Sequence, residues 1–224
     1  MIIAVCGYSG TGKTSFIERL LPRLEDYSVA VVKHTAHEHV DTPGKDTARY
    51  RDAGASAAAI VAADETAIFF SGQRSVASLA GMLDVDVLLL EGFKTSAYEK
   101  IWLGEDGGSN VVLRNPSVEE AAVYIRRKAD VERALERLPG LDCGDCGYRS
   151  CLELAEAVAA GDASLGDCAV SHGGVTVTVG GTMIPLKLFV QRFIDETVRG
   201  MLRPLKGVED TAGQTVHVEL PGQS

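Results

Sequence analysis

Gly7-Tyr8-Ser9-Gly10-Thr11-Gly12-Lys13-Thr14 lies between an apolar run, Ile2 to Cys6, and a segment in which Phe16, Ile17, Leu20, Leu21 and Leu24 recur at helical spacing. A strand, a glycine-rich turn and a helix in that order, with this spacing, match the phosphate-binding P-loop. The chemistry explains the residues. Glycines let backbone N–H groups converge on phosphate oxygens with no Cβ in the way. Lys13 supplies a point charge for the outer phosphates and is the first candidate catalytic group. The Thr14 hydroxyl is placed to bind Mg²⁺, and the helix that follows turns its positive end toward the anion. The expected nucleotide-binding residues here are Gly7, Ser9, Gly10, Thr11, Gly12, Lys13, Thr14 and Ser15.

Outward from this loop, strand and helix alternate. Pro22 ends or bends the first helix. Ser28 to Lys33 reads as a second buried strand, residues 34–45 as a polar loop with Pro43-Gly44, and 46–53 as a short helix closed by Gly54. Ala57 to Ala63 and Ala67 to Phe70 are further apolar runs, followed by a helix near 74–83. Val85 to Leu90 is the strongest later strand. Ile101 to Leu103 and Val111 to Leu113 follow it, and 117–137 reads as charged amphipathic helix. Such alternation predicts an α/β fold of the P-loop NTPase type, a mostly parallel sheet with helices on both faces. The character changes at Pro139-Gly140. The expected division is a nucleotide-binding domain over 1–128, a small cysteine-rich domain over 129–170, and a small α+β tail over 171–224. In that tail Gly180-Gly181 signals a hairpin, 187–202 a helix, and 215–220 a third strand.

A Mg²⁺ partner is expected at the end of a neighbouring strand. VDVLLL ends in Glu91, whereas Asp86 comes too early in it, so Glu91 is the candidate metal ligand and catalytic carboxylate. The loop after the second strand should lie on the same sheet edge. There Asp41 is a candidate Mg²⁺ ligand and Asp46 a candidate catalytic carboxylate. His34 and Lys45 are candidate contacts to an anion, with Lys33 and Arg49 nearby. A transition-metal site at His37 and His39 is not expected, because histidines clustered in a polar loop commonly meet solvent or phosphate.

The chain has 224 residues and a net charge of −9, which speaks against general binding to nucleic acid or anionic membranes. It has no long apolar run and no basic start, so a transmembrane helix or signal peptide is not expected and a cytoplasmic location is. Thiols stay reduced there, and four of the five cysteines crowd into Cys143-x2-Cys146-x4-Cys151-x16-Cys168. Four thiolates suit a [4Fe–4S] cluster or a tetrahedral Zn²⁺, and the spacing alone leaves the two near even. Cys6 reads as a buried core thiol.

GYSGTGKTS, VVKHTAHEHVDTPGKDTARYRDAGA and DVLLLEGFK together resemble the molybdopterin-guanine dinucleotide biosynthesis protein B family, over residues 1 to about 125. That resemblance implies a GTP-binding adaptor with weak GTPase activity. It would act as a homodimer beside the molybdopterin guanylyltransferase and other maturation proteins of the molybdenum or tungsten cofactor. The guanine-reading Asn-Lys-x-Asp box is absent, so GTP is implied by the resemblance alone; Arg114-Asn115-Pro116 is the candidate base contact. Residues 138–168 resemble the small [4Fe–4S] domain of corrinoid iron–sulfur protein subunits, which favours iron–sulfur over zinc. Two other functions fit the motifs: a P-loop kinase or ligase for a small acid, and a nucleotide-switched redox module.

Overall fold

A computed structural model describes residues 1–105, 107–172, 174–207, 211 and 213–220. The chain divides into two compact units, Met1–Ala129 and Asp130–Ser224.

The first unit is built on a five-stranded parallel sheet in the order β2-β5-β1-β6-β7. Its strands are β1 (Ile2–Gly7), β2 (Val29–Lys33), β5 (Val87–Glu91), β6 (Glu99–Leu103) and β7 (Val111–Arg114). Side chains of a strand alternate between faces, and β1 shows it directly. Ile3 and Val5 enter one core with Phe16, Ile17 and Leu20 of α1 (Lys13–Leu20) and Ala121, Ala122 and Ile125 of α4 (Val118–Glu136). Ala4 and Cys6 enter the other with Leu88, Leu90 and Trp102, against which Val76 and Ala80 of α3 (Val76–Leu83) pack. Helices therefore cover both faces, as the sequence requires. At about 1.5–3 kcal/mol for each fully buried aliphatic side chain, these two layers supply most of the drive to fold.

Local signals set the element ends. α1 stops at Leu20, and Pro22 lies in the first turn of a 3₁₀ segment, Leu21–Leu24. α4 starts from a reciprocal cap: the Ser117 N–H donates to Glu120 Oε2 at 2.7 Å, and the Glu120 N–H donates to Ser117 Oγ at 3.2 Å. The runs at 57–63 and 66–70 leave the main sheet. They pair with each other as β3 (Ala57–Val61) and β4 (Thr66–Phe70), a separate antiparallel ribbon after α2 (Asp46–Asp52).

Lys100 is fully buried on β6. Its ammonium donates to the carbonyls of Ser96 at 2.5 Å, Tyr98 at 3.2 Å and Ser109 at 3.0 Å. A buried charge persists only when its donors are met, and here they gather the loops on either side of β6.

In the second unit, α5 (Cys151–Ala160) is capped by Ser150 and closed by Gly161 in the left-handed region. Gly180-Gly181, both at positive φ, turn the hairpin β8 (Val177–Val179) to β9 (Thr182–Ile184), and α6 (Leu188–Leu202) follows. The expected third strand is not formed: residues 215–220 carry no strand. Alternation there is real, but Val218 and Leu220 are exposed, so no apolar face rewards the pairing.

Candidate functional site

Parallel strands bring their carboxyl ends to one edge. Val5 and Lys33 both pair in register with Glu91, so the ends of β1, β2 and β5 meet there. The glycine-rich loop leaves β1 at that edge. Gly10 (φ 81°) and Gly12 (φ 78°) hold the left-handed region that side chains resist, and a Cβ on either would meet nothing within 4 Å. Their hydrogen-only faces thus border open space at the loop, the form a phosphate cradle needs.

Gly7 is constrained for a different reason. A Cβ there would stand 2.4 Å from the Leu103 carbonyl oxygen and 2.6 Å from Thr11 Oγ1. Gly7→Ala is expected to destabilise the first unit by about 2 kcal/mol through overpacking and to distort the loop. Calorimetry checks this; an unchanged melting temperature would mean the neighbours yield at no cost.

The Tyr8 carbonyl gathers the loop's donors. It accepts from Lys13 Nζ at 2.7 Å, Thr11 Oγ1 at 2.9 Å and the Thr11 N–H at 3.4 Å. Thr14 Oγ1 donates to Glu91 Oε1 at 3.0 Å, and Lys33 Nζ stands 3.1 Å from the same oxygen. Glu91 is buried, which strengthens both contacts by excluding water. A hydroxyl and a carboxylate facing each other beside the loop are hard oxygen donors, the chemistry Mg²⁺ selects. Ser9 and Ser15 flank the cradle and are exposed.

The other candidates sit apart from this pair in their bonding. Asp41 accepts from the Thr42 N–H at 2.8 Å, Thr47 Oγ1 at 3.1 Å and Arg51 Nη2 at 2.8 Å. Burial works to raise its pKa, but the hydrogen bonds from Arg51, Thr47 and Thr42 prevail and hold the carboxyl below its usual range. Asp41 thus fastens its own loop to α2. Asp46 is exposed and faces Arg49 at 3.8 Å; Lys45 is the exposed residue before α2. Among the described residues, no three His, Cys, Asp or Glu side chains gather as a single-ion site.

His34 lies beside the edge: its N–H donates to the Glu91 carbonyl at 3.0 Å, and its ring meets Phe93 edge-on at 5.4 Å. It also lines a cavity of about 880 Å³ with Lys33, Arg51, Phe69, Phe70, Arg74 and Phe93. Arg74 stacks over Phe70 at 4.8 Å.

Asn115 and Arg114 bond the loop after β6. The Gly104 N–H donates to Asn115 Oδ1 at 2.6 Å, and Asn115 Nδ2 donates to the Gly104 carbonyl at 3.2 Å. Arg114 Nη1 donates to the Glu105 carbonyl at 2.5 Å. Lys94 was missed, although it stands three residues after Glu91 in DVLLLEGFK.

In the second unit the four cysteines converge on one apolar cluster. Cys151 and Cys168 are buried in it with Val131, Ala134, Leu138, Leu154 and Val170, and the half-buried Cys143 and Cys146 pack against it. Gly144 (φ 78°) and Gly147 (φ 89°) make the turn, closed by a Gly147 N–H to Gly144 carbonyl bond at 3.0 Å. Cys151 begins α5, and its N–H donates to Asp142 Oδ1 at 2.7 Å. All four thiols are free. Four thiols in and against one apolar cluster are the donor chemistry of an iron–sulfur centre, whose charge is shared over soft sulfur donors.

Comparison with known proteins supports both halves. Residues 2–123 match the family described as molybdopterin guanine dinucleotide synthesis protein B, and residues 138–170 match the one described as "Putative Fe-S cluster". A Methanocaldococcus jannaschii protein, named a "Putative molybdopterin-guanine dinucleotide biosynthesis adapter protein", is 31% identical over 98% of this chain and 97% of its own. A Haemophilus influenzae protein, named a molybdopterin-guanine dinucleotide biosynthesis adapter protein, is 36% identical over 46% of this chain. The match spans 62% of that relative's length. The crystal structure of Bacillus subtilis MobB is 31% identical and overlaps 47% of this chain and 68% of its own, with a TM-score of 0.39.

Proposed function

Because the chain belongs to the molybdopterin guanine dinucleotide synthesis protein B family, we propose that it is a GTP-binding adaptor with slow GTPase activity. It serves the joining of a guanine nucleotide to molybdopterin, docks on the guanylyltransferase as a cytoplasmic homodimer, and carries a [4Fe–4S] cluster. The observation that carries the nucleotide reading is the Thr14–Glu91 contact beside the glycine cradle. Lys13 leaves the Tyr8 carbonyl for the outer phosphate oxygens, and the loop N–H groups take the inner ones. Thr14 and Glu91 hold Mg²⁺, which would neutralise charge on the phosphates. Catalysis is then positioning, by Lys13 and Glu91, with Asp46 an exposed carboxylate at the start of α2. An adaptor role carries slow hydrolysis, with turnover well below about 10 per second.

The cavity beside His34 suits the pterin phosphate. Phe69, Phe70 and Phe93 offer aromatic faces to a flat ring, while Lys33 and Arg74 offer cations near its charged end. Cys143, Cys146, Cys151 and Cys168 hold the cluster, which supplies a one-electron couple. The family match over residues 138–170 supports a cluster, and the packing of the four cysteines in and against one apolar core supports the ligand set.

Glu91→Gln tests the metal reading. Glutamine keeps an oxygen for the Thr14 hydroxyl but loses the charge that meets Mg²⁺ and Lys33. Hydrolysis is expected to fall at least about tenfold, while nucleotide affinity measured in EDTA stays at the wild-type value. An unchanged Mg²⁺ dependence would remove Glu91 from the metal site.

A further inference from the structure

Beyond β5 the chain turns a strained corner. Gly92 lies at φ 98° and Phe93, a bulky residue, at φ 52°. A non-glycine residue in the left-handed region persists only where its surroundings impose it, and such residues cluster at functional sites. Here the surroundings do impose it. The Gly92 N–H donates to the Val5 carbonyl at 3.0 Å, Cys6 Sγ donates to the Gly92 carbonyl at 2.7 Å, and His34 holds the Phe93 ring.

The corner delivers Lys94 back over the phosphate loop. Its ammonium stands 4.4 Å from the centre of the Tyr8 ring, and the carbonyl of that same Tyr8 holds Lys13 Nζ at 2.7 Å. The two cations therefore meet at one loop residue. Cys6, at the base of the loop, senses both. Burial pushes its thiol pKa up, and the charges of Lys100, Lys94 and Lys13 pull against that. Lys94 is exposed and makes no ion pair among the described residues. An aromatic face is a weak partner for a cation, readily exchanged for an anion.

We propose that Lys94 is a second phosphate-binding cation that reads the terminal phosphate of a nucleoside triphosphate held by the loop. The proposal rests on the nucleotide-binding reading above. Lys13 of a P-loop reaches the β- and γ-phosphates, and Lys94 lies over the ring of Tyr8, the residue whose carbonyl holds Lys13. It also comes from the strand that ends in Glu91, on the side where a metal would bridge the two outer phosphates. A charge at that point separates triphosphate from diphosphate. It lets the strained corner, and through Gly92 the end of β1, register which of the two is bound.

The test is titration calorimetry of the full chain with Mg²⁺ and either GTP or GDP. Lys94→Met is expected to weaken GTP about tenfold and GDP less than about twofold, the loss of one charge-assisted contact. Lys94→Arg should keep the wild-type ratio, and neither variant should change the melting temperature. An unchanged ratio in Lys94→Met, or an equal loss for both nucleotides, overturns the assignment of Lys94 alone. A wild-type protein that binds neither nucleotide overturns the phosphate-loop reading, and the role of Lys94 with it.

Discussion

Lys13→Ala is expected to lower affinity for guanine nucleotides by about two orders of magnitude while leaving the fold in place. Lys13 is the only side chain that the P-loop pattern itself points at the outer phosphates, and a charge-assisted contact to phosphate is worth about 1.5–3 kcal/mol. Its ammonium donates to the Tyr8 carbonyl, and that carbonyl keeps two bonds from Thr11 when the lysine is gone. Nothing in the apolar core depends on it, so the cost falls on binding and not on stability. Equilibrium binding and thermal melting on the same sample separate the two. Affinity within about threefold of wild type would mean the cradle does not hold phosphate, whatever its backbone shape. Lys94→Met makes a useful contrast: Lys13→Ala should weaken both GTP and GDP, because a P-loop lysine also meets the β-phosphate, which the two share.

The edge that holds this site was legible in the sequence because its determinants are local. Gly7-x4-Gly12-Lys13-Thr14 dictates its own turn, and apolar runs such as VDVLLL can only be central strands. Glu91 followed from the rule that ligands gather at the carboxyl ends of parallel strands. What escaped the reading depends on distant partners. Asp41 looks like a free carboxylate in a polar loop, and only the folded α2 brings Arg51 and Thr47 to it. Lys100 looks like an exposed strand residue, yet three carbonyls from two loops satisfy it in the core. Asn115 follows a late strand, and only the fold brings its amide onto the Gly104 backbone. The missing strand at 215–220 fails the other way: its period is right, but a strand forms only where a partner edge and a buried face await it.

Cys168→Ser is expected to remove most of the iron and acid-labile sulfide from protein purified without oxygen, from about four of each per chain to near zero. Cys168 is the remote member of the set, 17 positions beyond Cys151, and α5 with its following turns carries the chain back to the same apolar cluster. That return is the reason to count it as a ligand: a free thiol needs no such neighbours. Serine matches the shape of cysteine but is a poor donor to iron at neutral pH, so the substitution tests ligation more than packing. A buried hydroxyl can cost about 1–3 kcal/mol, so circular dichroism must show that α5 survives. Cys6→Ser serves as the control, because Cys6 belongs to the sheet core and donates to the Gly92 carbonyl. It should retain full iron. Wild-type protein with about one zinc and no iron would make the four thiolates a structural tetrahedral site. Full iron in a folded Cys168→Ser would transfer the fourth bond to another group and break the ligand set. The remaining outcome, loss of iron in Cys168→Ser alone, ties a redox-active centre to the same chain as the phosphate loop. GTP hydrolysis measured with the cluster oxidised and reduced then shows whether the two respond to each other.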